Sequence, residues 1–218
     1  MSIQLLLFDL DGTLVDTIID ITNALNYALM STGIRNLTVV ETKHLVGEGI
    51  TRLIEKVLGD ENKKFTEDVK SKFLSYYTDH LIDYSLVYPH VKTTIEQLAN
   101  YRKAVISNKR EYLSRQILRK LNLLEYFDVV VGSDTTPEKK PSAFPIIYIL
   151  QKLGISVKEA VMIGDSNFDV EAGKKAGIKT VAVSYGYRAR KYLSDADYLI
   201  DAFDELPSVL DRISSELI

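Results

Sequence analysis

The stretch Ile3-Gln4-Leu5-Leu6-Leu7-Phe8-Asp9-Leu10-Asp11-Gly12-Thr13 decides how the rest of the chain is read. Its apolar run Ile3–Phe8 is too continuous for a strand with one wet face. It reads as a strand buried on both faces, as in a parallel sheet covered by helices. Two carboxylates, Asp9 and Asp11, emerge where that strand ends, at the edge where open α/β sheets bind ligands. Gly12 lets the backbone turn away sharply and brings its N–H close to whatever sits there. Acids crowded at one sheet edge repel each other unless a cation or a proton-transfer role makes use of them.

Outward from this strand, the 218 residues suffice for one large domain or a domain carrying an insertion. With 46% hydrophobic and 26% charged residues the composition is that of a globular protein. The net charge of -3 argues against a nucleic acid or an anionic membrane surface as partner. No apolar run approaches the ~20 residues of a membrane span, and the start MSIQLLLFDLDG lacks a signal peptide's basic region and cleavage site. The expectation is a cytoplasmic protein, monomer or homodimer. The absence of cysteine excludes disulfides, thiol catalysis and thiolate-bound metal.

Further strand-like runs follow at Lys103–Ser107, Asp128–Val131, Ala160–Ile163, Lys179–Val183 and Asp197–Ile200. Helix-length segments lie between most of them. Val91–Tyr101 carries Val91, Ile95, Leu98 and Ala99 on one face, and Glu111–Leu121 carries Leu113, Ile117, Leu118 and Leu121. Strands alternating with amphipathic helices imply βαβ crossovers and a parallel sheet. The exception is Asp16 to Ser85, which shows helical periodicity and no strand; Thr38-x-x-Glu41 reads there as a capping box. A helical insert of about 70 residues is too long for a crossover. The expected organisation is therefore a core of residues 1–15 and 86–218 with a separate helical domain of residues 16–85.

Three later segments repeat the pattern of polar residues at a strand's carboxyl end. Lys103–Ile106 runs into Ser107-Asn108-Lys109, a hydroxyl and backbone amides near a helix start, where an anion is welcome. Lys139-Lys140-Pro141 precedes a helix, with Pro141 expected near its first turn. Ala160–Ile163 runs into Gly164-Asp165-Ser166-Asn167-Phe168-Asp169, a second acidic pair. Each alone is an ordinary cap or turn. Together they share one kind of place.

In this order and spacing DLDGT, SNK, KKP and GDSNFD resemble the four signature motifs of the haloacid dehalogenase-like hydrolases, and the match spans nearly the whole chain. The resemblance implies an α/β fold, a Rossmann-like parallel-sheet core with an inserted small α-helical cap domain, and Mg²⁺-dependent phosphoaspartyl chemistry on a small phosphorylated metabolite. It implies that Asp9 is the nucleophile and Asp11 the general acid and base. Mg²⁺ would be held by Asp9, the Asp11 carbonyl and Asp165, with Asp169 beside it. Asp9, Asp11 and Gly12, with Ser107, the amide of Asn108 and Lys140, would hold the phosphoryl group. Lys140 would also keep Asp9 ionised, and Thr13 would brace the loop.

Within that family GTLVDT, Val46-Gly47-Glu48-Gly49 and Tyr88-Pro89 resemble the phosphoglycolate phosphatases, so phosphoglycolate is the first substrate expected. Ala143 departs from a proline common in relatives. Gly47 and Gly49 would form a loop closing on the substrate, and Arg52, three residues on, would clamp a carboxylate. The same loop pattern also suits a sugar-phosphate mutase or a pyrophosphatase. A receiver-like phosphate sensor, which does no catalysis, shares the strand-end acids and lysine but lacks a helical insert. His44, His80 and His90 show no ligand spacing. Tyr76, Tyr77, Tyr84 and Tyr88 are expected to pack the insert and its linkers, and Arg188-Ala189-Arg190-Lys191 to be a solvated turn.

Overall fold

The computed structural model describes residues 2–216. In chain order the elements begin β1 (Leu5–Phe8), β2 (Val15–Asp16), α1 (Ile18–Leu29), α2 (Val39–Leu45), α3 (Ile50–Leu58) and α4 (Thr66–Asp79). Then come β3 (Leu86–Val87), α5 (Val91–Gln97), β4 (Arg102–Ile106), α6 (Glu111–Lys120) and β5 (Val129–Val131). The chain ends with α7 (Phe144–Leu153), β6 (Ala160–Gly164), α8 (Asn167–Ala176), β7 (Lys179–Val183), β8 (Tyr198–Ile200) and α9 (Leu206–Glu216).

Six strands form one parallel sheet in the order β5-β4-β1-β6-β7-β8. Leu5, Leu6, Leu7 and Phe8 are all fully buried, because β1 lies mid-sheet with helices on both faces. Alternation along the strands divides the interior. Leu6, Phe8, Val105 and Ile163 face the side packed by α5, α6 and α9. Leu5, Leu7, Ala104 and Met162 face Ile146, Ile149 and Leu150 of α7 and Ala172 of α8. The α/β doubly wound architecture is the one the sequence pattern implies.

Register fixes where the polar loops emerge. Phe8 lies beside Val105 on one side and Ile163 on the other. The residues that follow these three strands therefore leave the sheet at the same edge, beside the centre where the chain reverses its direction of winding.

Between β2 and β3 the chain is helical, with α1 against α4, α3 against α4 and α1 against α2. The capping box at Thr38 is formed, with Thr38 Oγ1 accepting from the Glu41 amide and Glu41 accepting from Thr38 N. The linkers entering and leaving this insert pair as a two-stranded antiparallel ribbon, Val15 with Val87 and Asp16 with Leu86. Two residues per strand are too few for a sequence period, so the ribbon was not legible. Among the described residues no helix is long and apolar enough to cross a membrane. One detail of the sequence reading is corrected: the proline in the first turn of α7 is Pro145, and Pro141 precedes the helix.

Candidate active site

Asp9 follows β1 directly, and its carboxylate is held from two sides. Lys140 Nζ lies 2.9 Å from Asp9 Oδ1, and the amide of Leu10 donates to the same oxygen at 2.7 Å. Oδ2 has no hydrogen-bond donor among the described residues. Lys140, 2% exposed, comes from the loop after β5 and also pairs with Asp169 Oδ1 at 2.6 Å. Asp169 is placed by local helix chemistry. It stands in the first turn of α8, where its other oxygen accepts from Ser166 N and Oγ, closing a capping box. Asp165 leaves β6, accepts from Tyr187 N at 2.6 Å and faces Thr13 Oγ1 at 3.4 Å.

The backbone at Gly12 makes this closeness possible. Its φ is +87°, and a Cβ there would stand 2.3 Å from Asp165 Oδ2. Asp9, Asp165 and Asp169 each bring one oxygen within 4.8 Å of the others. Burial, and after it repulsion from Asp169 and Asp165, raises the Asp9 carboxyl well above the usual carboxylate range despite Lys140. Burial and Asp169 push Asp165 up to about 7. Lys140 is held charged, because Asp169 and Asp9 outweigh its burial.

Charge counting points the same way. With all four carboxylates (Asp9, Asp11, Asp165 and Asp169) ionised, the two close ammonium groups, Lys140 and Lys109, would leave two negative charges uncompensated. Hard oxygen donors with that deficit fit a small divalent cation.

Asp11 lies in a different setting. Thr17 Oγ1 donates to its Oδ1 at 2.5 Å and Lys109 Nζ at 2.6 Å, again leaving Oδ2 without a protein donor among the described residues. Lys109 also donates to the hydroxyl of Tyr77 on α4 at 2.7 Å. Ser107 is 3% exposed and Asn108 7%; Ser107 Oγ accepts from Lys109 N at 3.1 Å. Both follow β4 and open into the same cavity as Asp9 and Asp11.

The helical insert roofs that cavity. Ile50 and Leu53 of α3 and Phe73 and Leu74 of α4 form an apolar wall opposite the acids. The Gly47-Glu48-Gly49 loop is fastened to the sheet edge by two donors, Asn108 and Lys139, and the end of α2 before it by a third, Arg188. Asn108 Nδ2 reaches Gly47 O at 2.8 Å and Lys140 O at 2.9 Å. Lys139 Nζ reaches Glu48 O at 2.6 Å, and Arg188 bonds the carbonyls of Lys43, His44 and Val46. Gly49 has φ +83°, and a Cβ there would stand 2.8 Å from Asn108 O. Asn108 Oδ1 is buried without a partner.

Three sequence expectations change. Arg52 does not face the cavity: its side chain is 62% exposed and pairs with Glu55. With about 100° between successive helical residues, Ile50 and Leu53 point inward and Arg52 outward, so the cations lining the cavity are Lys109, Arg110 and Arg188. Arg188 is no solvated turn residue, since its guanidinium grips the insert. Tyr77 packs as expected yet also offers its hydroxyl to Lys109. A polar tip on a buried aromatic was the available signal for that contact.

A family model described as haloacid dehalogenase-like hydrolase matches residues 6–183. The chain belongs to this family. It is 41% identical over 186 residues to a phosphoglycolate phosphatase of Aquifex aeolicus, covering 84% of this chain and 86% of the relative. It is 37% identical over 211 residues to one from Chromobacterium violaceum, covering 94% and 95%. A crystal structure of a predicted phosphoglycolate phosphatase from Haemophilus somnus superposes with TM-score 0.89 at 28% identity, covering 96% of this chain and 98% of that one. This haloacid dehalogenase-like hydrolase is thus a phosphomonoesterase of the phosphoglycolate phosphatase-like branch.

Proposed function

We propose that the protein is a Mg²⁺-dependent phosphatase that transfers the phosphoryl group of a small phosphomonoester to Asp9 and then to water, with phosphoglycolate as substrate. The observation that carries this reading is Lys140, buried between Asp9 and Asp169 at the edge where Asp165 also converges. A lysine so placed orients Asp9 and helps keep it anionic against the burial that raises it. The Asp9 carboxylate attacks phosphorus in line, and the bond to the leaving oxygen breaks. Asp11 gives that oxygen a proton, then takes one from the water that cleaves the aspartyl phosphate. Ser107 and the amide of Asn108 hold phosphoryl oxygens, and Lys140 faces the developing charge.

Asp9, Asp165, Asp169 and the Asp11 carbonyl are the groups that would hold Mg²⁺; when bound it neutralises charge spreading over the phosphoryl oxygens. Residues 16–85 would serve as a cap that excludes bulk water, with residues 1–15 and 86–218 as the catalytic core. Gly47 and Gly49 would let the cap loop approach the substrate. Arg110, exposed at the cavity wall and in no ion pair among the described residues, is the cation best suited to the substrate's carboxylate. Phosphoglycolate as substrate is supported by the names of the relatives above.

A panel of phosphorylated metabolites assayed with Mg²⁺ and with chelator tests the proposal. Phosphoglycolate should give the highest kcat/KM, and acid-quenched enzyme should carry phosphate on Asp9. Full activity in chelator, or a label that survives Asp9→Asn, would refute it. Preference for a bisphosphorylated sugar with transfer to that sugar would make it a mutase, and preference for inorganic pyrophosphate a pyrophosphatase.

A further inference from the structure

Tyr77 lies in the last turns of α4, in the insert, yet its hydroxyl meets a lysine from the opposite side of the cavity. Lys109 Nζ donates to Tyr77 at 2.7 Å and to Asp11 Oδ1 at 2.6 Å. The ammonium also lies 4.9 Å from the centre of the Tyr77 ring. Tyr77 is 1% exposed, and the Lys109 side chain 8%. All three residues border the cavity above Asp9.

Burying an ammonium is costly, and only good partners repay the loss of hydration. Both of Lys109's partners are explained by the reaction, not by the sheet: one is the acid and base, the other belongs to the insert. Asp11 turns on a broad terminal torsion, so a single contact would leave its plane loosely set. Here Lys109 and Thr17 both grip Oδ1. That holds the plane and leaves Oδ2 as the oxygen that can carry the transferred proton. A lysine on its flexible four-carbon stem would not stay there unaided. Tyr77 is the contact that fixes it, through its hydroxyl.

We propose that Tyr77 and Lys109 are positioning residues that set the orientation of Asp11 for proton transfer, and that they do so only while the insert covers the sheet edge. The proposal rests on the phosphatase reading above. In the first half-reaction the Asp9–phosphorus bond forms, the phosphorus–alkoxide bond breaks, and the proton on Asp11 goes to the alkoxide. In the second the water–phosphorus bond forms, the Asp9–phosphorus bond breaks, and the water's proton goes to Asp11. An uncovered enzyme has a misaligned Asp11 and does neither step well, which ties proton transfer to coverage of the substrate.

Tyr77→Phe, Lys109→Met and Lys109→Arg test this. Tyr77→Phe keeps the ring and its packing, so it reports on the hydroxyl even where a lysine variant fails to fold. With 4-nitrophenyl phosphate the leaving group needs no proton, so the pre-steady-state burst should stay within about twofold of wild type. Steady turnover, which needs Asp11 as base, should fall about tenfold in Tyr77→Phe and about a hundredfold in Lys109→Met. KM should fall in step with kcat, leaving kcat/KM for this substrate nearly unchanged, and Lys109→Arg should recover part of the loss. With phosphoglycolate, whose alkoxide must be protonated, formation of the phosphoenzyme should slow as well. An equal loss in burst and turnover would overturn the proposal, as would unchanged turnover or a raised KM with unchanged kcat. If wild-type enzyme forms no phosphoenzyme, the phosphatase reading itself fails, a result separable from all of these.

Discussion

Arg188→Ala should loosen the insert without touching any group that meets phosphorus. The guanidinium lies 3.1 Å from Lys43 O and 3.0 Å from His44 O, and bonds Val46 O as well. These are carbonyls of the last turn and C-cap of α2, which lack partners inside the helix. One cation thus satisfies three of them and lies at the negative end of the helix dipole. Each charge-assisted bond has a net value of about 1.5–3 kcal/mol when buried. Arg188 is only half-buried, and water can replace part of what is lost, so about 2 kcal/mol for the whole grip is reasonable. That corresponds to a shift of about 30-fold in the ratio of fastened to loose insert. The assay is kcat/KM for phosphoglycolate alongside hydrogen exchange of the Lys43–Gly49 amides. The expected result is exchange faster by up to about 30-fold in that segment, with kcat/KM lowered by no more than that factor. Arg188→Lys should recover little, because an ammonium cannot span three carbonyls. Unchanged exchange in the Lys43–Gly49 segment would refute the reasoning.

Asp9→Asn should abolish turnover and raise the Tm of chelated protein, because it removes a carboxylate that burial and two neighbouring acids destabilise; a lower Tm would contradict this. Gly49→Ala places a Cβ 2.8 Å from Asn108 O at a φ of +83°, which should cost about 1–2 kcal/mol in the fastened arrangement and lower kcat/KM by up to about thirtyfold with Tm nearly unchanged. Arg52→Ala should leave kcat/KM within about twofold, since that side chain is solvated and pairs only with Glu55. Mg²⁺ affinity should be about tenfold weaker at pH 6 than at pH 8, because Asp165, pushed up to about 7, holds a proton the cation must displace. In chelator the sign runs the other way for stability: the folded protein keeps that proton where the unfolded chain has lost it, so stability falls as pH rises from about 4 through 7. Calorimetric titration at the two pH values and Tm in chelator check both, and a pH-independent affinity would contradict the first.

The parts of the site legible in the sequence are those fixed by local chain geometry. An apolar run followed by an acid places Asp9 and Asp165 at a sheet edge whatever the rest of the chain does. Ser107 is placed in the same way. Asp169 was reached through the resemblance, and the capping box that sets its position relative to Ser166 is a finding of the structure. What stayed hidden depends on how distant segments meet. Lys109 and Asp11 are 98 residues apart in the chain, and Arg188 and Lys43 are 145 apart; neither contact leaves a periodic trace. Arg52 shows a different limit. The helix was expected and is present, but a phase difference of about 200° from Ile50 turns that residue to solvent.

Two aspartates separated by one leucine would be expected to behave alike, and the fold keeps them distinct by giving them different owners. Asp9 answers to the sheet. Its partners are Lys140, the backbone of Leu10 and the crowd of Asp165 and Asp169, all from loops at one edge. Those contacts do not involve the insert. Asp11 answers to the insert and its linker. Thr17 follows β2, Tyr77 sits on α4, and Lys109 connects Tyr77 to the carboxylate. Separating the environments of neighbouring acids is how one gains a nucleophile's role and the other a proton carrier's. On the proposed mechanism the separation would also decide timing. A nucleophile ready at all times and a proton carrier aligned only under cover would favour a substrate small enough to be enclosed and disfavour reaction with whatever else reaches the open edge.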